Sequence, residues 1–147
     1  MESLLQSTAA CIALSAAGIF FQTGLLTGLW KYLCMRRHPQ AEAPHYVNVT
    51  HRAALMYAFS AQLLAVFAAF SAFPDWVNTI AVIPPLLFFA IAIVHYVQLG
   101  RTTVSNNAMR DSADRNKDYM ILNALAVAEI GGFSVLLAGF FSRLFLG

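Results

Sequence analysis

Four stretches of the chain are free of Asp, Glu, Lys and Arg: Ser3 to Trp30, Ala53 to Pro74, Trp76 to Gly100, and Tyr119 to Ala128, the last resuming after Glu129 as far as Ser142. Counting that continuation, each reaches the ~20 residues that a helix needs to cross ~30 Å of hydrocarbon at 1.5 Å per residue. The pattern predicts an all-α protein, an integral membrane four-helix bundle in one domain, with helices over about 8–33, 52–73, 77–100 and 118–143. Glu2 is the only charge before the first stretch, and the stretch is long. A secretory leader has a positive start and a short apolar core, so this segment reads as a retained helix. The link around FPDWVN is only a few residues long, which makes helices 2 and 3 an antiparallel hairpin with Asp75 and Trp76 at the interface.

Composition turns these apolar stretches into membrane spans. The 147 residues are 59% hydrophobic and 11% charged, with a mean hydropathy of +0.64. A soluble domain has roughly 45 to 50% apolar and about 25% charged residues. The cations then set an orientation. Lys31, Arg36, Arg37 and Arg52 flank the link between helices 1 and 2, and Arg101, Arg110, Arg115 and Lys117 the link between helices 3 and 4; Arg143 alone lies at the other end. Under the positive-inside rule this gives two basic cytoplasmic loops and both termini outside, as in a bacterial inner membrane. Topology accounts for the net charge of +2, so no nucleic-acid partner is implied and the bilayer is the expected surrounding. Cys11 and Cys34 lie far apart on one helix, at about 35 Å by helical rise, too far for a disulfide. The triplet Asn48, Val49, Thr50 matches a glycosylation acceptor but falls on the expected cytoplasmic side, where it is a chance match.

Counting inward from the basic ends places Gln22, Gln62 and Glu129 at about the same depth, ~15 Å, near the midplane. A carboxylate in hydrocarbon costs several kcal/mol, so Glu129 must be neutralised, paired or wetted. A protonated Glu129 donating to a glutamine amide would form a structural clasp between helices; the alternative is a proton or ligand site. Ala124, Ala128 and Gly132, next to Gly131, form a small-residue stripe where another helix can approach, and Gly24 and Gly28 repeat the theme in helix 1. Such stripes serve internal packing or an oligomer interface. Pro84 and Pro85 remove backbone donors inside helix 3 and are expected to loosen or kink it.

A second polar group gathers near the basic end: His45, His51 and Arg52 at the start of helix 2, Tyr57 further in, His95, Tyr96 and Arg101 at the end of helix 3, and Asn123 in helix 4. Guanidinium, phenol and imidazole groups at one depth fit a pocket for an anionic or amphipathic ligand. They equally fit interfacial anchoring. No metal site is expected, because no HxxxH, Glu-x-x-His or Cys cluster is present. A haem between His95 and a first-loop histidine is a remote alternative, and no phosphate loop or nucleophile motif appears.

The size, four helices, outward termini, basic loops and short hairpin resemble the MAPEG superfamily, small trimeric membrane proteins of eicosanoid and glutathione metabolism. In that family helix 2 opens with an arginine followed by an asparagine and a glutamate that help bind glutathione. HRAALMYAFSAQ supplies Arg52, with Met56 and Phe59 at the other two positions. HYVQLGR supplies Tyr96 and Arg101 where the family has an arginine and tyrosine series. The reading favoured by the residues is a noncatalytic or accessory membrane component packing against itself or a membrane-complex partner. The resemblance implies instead an enzyme acting on a lipophilic substrate, with glutathione as thiol cofactor; otherwise the cofactor is open. A third reading is a binder of a lipophilic ligand, with Glu129 as its polar handle.

Overall fold

The computed structural model describes residues 6–102 and 105–146. They form helices α1 (Thr8–Arg37), α2 (His45–Ala69), α3 (Asp75–Thr102) and α4 (Arg115–Leu146). Each is long and apolar enough to cross a membrane, so the chain is an all-helical membrane protein. The first residues of the first apolar stretch, Ser3 to Leu5, lie outside the described residues. α1 packs most extensively on α2, α3 packs on α1, α2 and α4, and α4 touches only α3 and α2.

Helix α2 starts about two turns before the position the apolar pattern predicts. Pro44 occupies its N-cap with φ −52°, a value the ring fixes and one that suits helix entry. The Asn48 amide donates to the Ala43 carbonyl at 3.1 Å. Arg52 therefore lies inside the helix, and the apparent glycosylation triplet is helical, with Thr50 fully buried. At its other end α2 stops at Ala69, because the Ser71 hydroxyl accepts from the Phe73 amide at 3.1 Å and Pro74 follows.

The seam of α2 is made of alanine. Ala54, Ala58, Ala61, Ala65 and Ala68 are all buried and alternate by four and three residues, a spacing that keeps one narrow face turned toward a partner helix. Small side chains permit close backbone approach, which supplies dispersion contact where lipid removes the hydrophobic driving force. Hydroxyls along the spans are satisfied locally: Thr23, Thr50 and Ser142 each donate to the carbonyl four residues back, the usual economy for a hydroxyl in hydrocarbon.

Asp75, expected only as an interface residue, ties two helix starts together. Its carboxylate accepts from the Ser7 hydroxyl at 2.8 Å and from the amides of Thr8 at 3.1 Å and Ala9 at 3.4 Å. Ser7 in turn caps the Ala10 amide. Orphan N–H groups of α1 and the positive end of its dipole thus meet an anion held at the first turn of α3. Asp75→Ala is expected to cost about 1 kcal/mol, limited by the site's exposure, and to lower the melting temperature in detergent by a few degrees. Asp75→Asn, which keeps an acceptor, is expected to lose less. Equal melting of all three proteins would show that the cap contributes nothing.

Candidate functional site

Gly132 determines how α4 meets α3. A Cβ at this position would run into the Ala81 carbonyl oxygen and, at 2.8 Å, the Pro85 ring. That carbonyl is the one Pro85 deprives of its helical donor, since proline has no N–H to give to the residue four back. Helix α3 nevertheless continues through Pro84 and Pro85, and glycine on α4 lies against the exposed oxygen. Nearer the other end, the Ala72 amide donates to the Gly139 carbonyl at 2.9 Å. Phe67 of α2 meets Phe133 and Phe140 edge-on, with ring centroids 5.2 and 5.1 Å away.

Toward the basic end this contact lapses. The buried residues of α4 are Leu136 and Gly139; Tyr119, Met120, Asn123, Ala124 and Val127 are all exposed. Between α4 and the α2–α3 pair the polar groups Tyr57, Tyr96 and Glu129 lie near one another. Tyr57 is stacked on Phe89 with centroids 4.4 Å apart, and its hydroxyl is within electrostatic reach of Tyr96 and of the Glu129 carboxyl. Glu129 is half-buried, and among the described residues nothing hydrogen-bonds to it. Phenols and a carboxyl at this point can accept and donate, so they can hold the polar end of a guest or of another helix.

The two polar groups read from the sequence are therefore rearranged. Gln22 and Gln62 are exposed on the outer faces of α1 and α2, and Glu129 sits with the tyrosines instead of with them. Of the basic-end set, Tyr57 and Tyr96 come together, while Arg52, His95, Arg101 and Asn123 are exposed. Arg52 shares an outward face of α2 with Met56 and Phe59, which are 65% and 67% exposed. The stripe read from the sequence also divides: Gly132 is spent on α3, whereas Ala124 is exposed. It belongs to a second row, Ala124, Val127, Gly131, Ser134 and Ala138, whose members are all exposed and step by three and four residues. A Cβ on Gly131 would meet nothing within 4 Å.

No family model, curated protein or solved structure matches the chain. Its own geometry must therefore carry the reading. Several contacts that matter were not singled out in the sequence. Tyr46 is buried and stacked on Tyr96 at 6.1 Å, and its hydroxyl accepts from the Ala108 amide at 2.7 Å, which fastens the α3–α4 connection to the start of α2. In that connection the Arg110 guanidinium and then the Ser105 hydroxyl hold the Asp111 carboxyl down at about 2. His51 reaches α1, where Nδ1 stands 2.9 Å from the Gly24 carbonyl; since a carbonyl only accepts, the imidazole carries its proton on Nδ1. Gly28 makes room for that ring, which would stand 2.9 Å from an added Cβ. A tyrosine five residues before a histidine, opposite a Gly-x-x-x-Gly, was the available signal. Among the described residues no group of three or more His, Cys, Asp or Glu side chains is placed to hold a metal ion.

Proposed function

We propose that the protein is a noncatalytic component of a membrane assembly, with α4 as the helix that meets a second copy or another membrane protein. The observation that carries this reading is the uncovered small-residue row of α4. Buried residues make up 11% of its apolar window, against 33, 39 and 39% for α1, α2 and α3. Lipid can cover leucine and phenylalanine as well as protein can, so exposed apolar side chains alone mean little in a bilayer. Alanine, glycine and serine in one row are different, because they gain most when another backbone lies against them. The unpaired carboxyl of Glu129 adds a group that a neighbouring helix can satisfy.

Cross-linking tests it. In a chain carrying Cys11→Ala and Cys34→Ala, Val127→Cys is expected to give disulfide-linked dimers on mild oxidation in the membrane, while Phe59→Cys on the outer face of α2 is not. Equal linking at both positions, or none at Val127→Cys, would remove α4 as the contact helix. The same background reports orientation. With both basic connections in the cytoplasm of a bacterial inner membrane, an impermeant maleimide applied outside should reach Ala72→Cys and spare Asn106→Cys; the reverse labelling would invert the topology.

A second reading is a lipophilic-ligand binder, supported by the proximity of the Tyr57 and Tyr96 phenols to the Glu129 carboxyl. The enzymatic reading implied by the MAPEG resemblance has less support, since Arg52, Met56 and Phe59 lie on an outward face of the single chain. It would need a second subunit to complete a thiol-cofactor site.

A further inference from the structure

A cleft of about 650 Å³ opens at the basic end between the last turns of α1 and α3, lined by no residue of α4. Its walls are mostly apolar, with Trp30 from α1, Pro44 at the start of α2 and Val97 from α3, and Thr27 of α1 also lines it. Gly100 closes its inner side, where an added Cβ would meet the Trp30 ring at 2.9 Å and the backbone of Val47 at 3.2 Å. Arg101 stands at the rim, and Cys34 lines the wall across from it. Among the described residues the ion pair formed is Arg110 with Asp111, and none of them offers Arg101 a carboxylate partner.

We infer that this cleft binds an anionic amphiphile of the surrounding bilayer, its charged head on Arg101 and one acyl chain along Trp30 and Val97. The cleft is open to its surroundings, and its volume is of the order of the ~300 to 1,000 Å³ found for ligand sites. The chemistry divides as such a guest does, with an apolar slot running into the membrane and one guanidinium where headgroups lie. A guanidinium binds a phosphate or carboxylate through two parallel N–H donors, and among the described residues no acid is paired with this one. Bilayer lipid is the source favoured over a free anion, because a small anion would leave the apolar walls unused. The inference needs only that the helices lie in a membrane, and it stands apart from any assembly through α4.

Cys34 serves as a native reporter. The intact chain is placed in nanodiscs of phosphatidylcholine, alone or with phosphatidylglycerol or inorganic phosphate added, and the rate of alkylation by N-ethylmaleimide is read separately at Cys34 and Cys11 by mass spectrometry. Phosphatidylglycerol is expected to slow Cys34 about tenfold, as charge-assisted occupancy would, and to leave Cys11 unchanged. Arg101→Gln should abolish the slowing, and Arg101→Lys should keep part of it. A negatively charged membrane also suppresses thiol reactivity generally, but that effect would survive in Arg101→Gln, and its survival would overturn the inference. Equal alkylation of Cys34 with and without phosphatidylglycerol would remove the role of charge and overturn the inference. Protection by inorganic phosphate as strong as by the lipid would replace the amphiphile with a free anion.

Discussion

Gly132→Leu is expected to detach α4 from α3, whereas Gly131→Leu leaves the fold of the single chain intact. The two glycines are neighbours in sequence and face opposite surroundings: one would drive a side chain into the Ala81 carbonyl and Pro85, the other into open space. Neither obstacle in the first case is a flexible side-chain end that can rotate away. Overpacking of this kind costs about 3 kcal/mol or more, enough to separate the melting of α4 from that of the rest in a detergent unfolding curve. Gly131→Ala should match or slightly exceed the parent, since alanine in a helix is favoured over glycine by up to ~1 kcal/mol. Under the proposed assembly Gly131→Leu nevertheless loses cross-linking at Val127→Cys. If both glycines tolerate leucine equally, the close contact at Ala81 is not what holds α4.

Glu129→Leu is expected to raise the stability of the isolated chain and to abolish what the carboxyl does in assembly or ligand binding. The carboxyl has no hydrogen-bond partner among the described residues, so its removal breaks nothing and relieves the cost of holding a polar group away from water, about 1 to 2 kcal/mol for a half-open site. Glu129→Gln keeps shape and hydrogen bonding and should melt like the parent. If Leu is instead clearly destabilising, the carboxyl is already paired inside the chain, and a clasp of the kind read from the sequence regains its place. Cross-linking through α4, or retention of a lipophilic guest, should fall in Glu129→Leu and indicate which use the carboxyl serves.

The four long apolar helices were legible in the sequence and their rotation was not. Counting residues from the charged ends puts Gln22, Gln62 and Glu129 in one layer, but rotation about each helix axis decides whether they meet. Gln22 is exposed while Phe20 and Gly24 on either side are buried. A helix that is apolar all round carries no polar stripe to mark its outer face, so such turns cannot be read from hydropathy. The existence of four spans was plain for the same reason that their faces were hidden. The early start of α2 was obscured by His45, Asn48 and His51, polar residues that a charge-and-hydropathy scan assigns to a loop. They are helical because Pro44 starts the turn and because His51 and Thr50 find partners within it and on α1. The seat of Gly132 depended on knowing which helix lies opposite Pro85, a tertiary fact with no local signature.

The bond from the Ala72 amide to the Gly139 carbonyl gives α4 a pivot. From Gly139 to Arg115 the helix runs roughly 36 Å at 1.5 Å per residue, and past Gly132 little grips it. A tilt of only about 10° at the pivot would carry the Arg115 end through roughly 6 Å. The end of α4 beside the tight turn between α2 and α3 is thus the fixed one, and the Arg115 end is the one whose position a change of tilt would alter most.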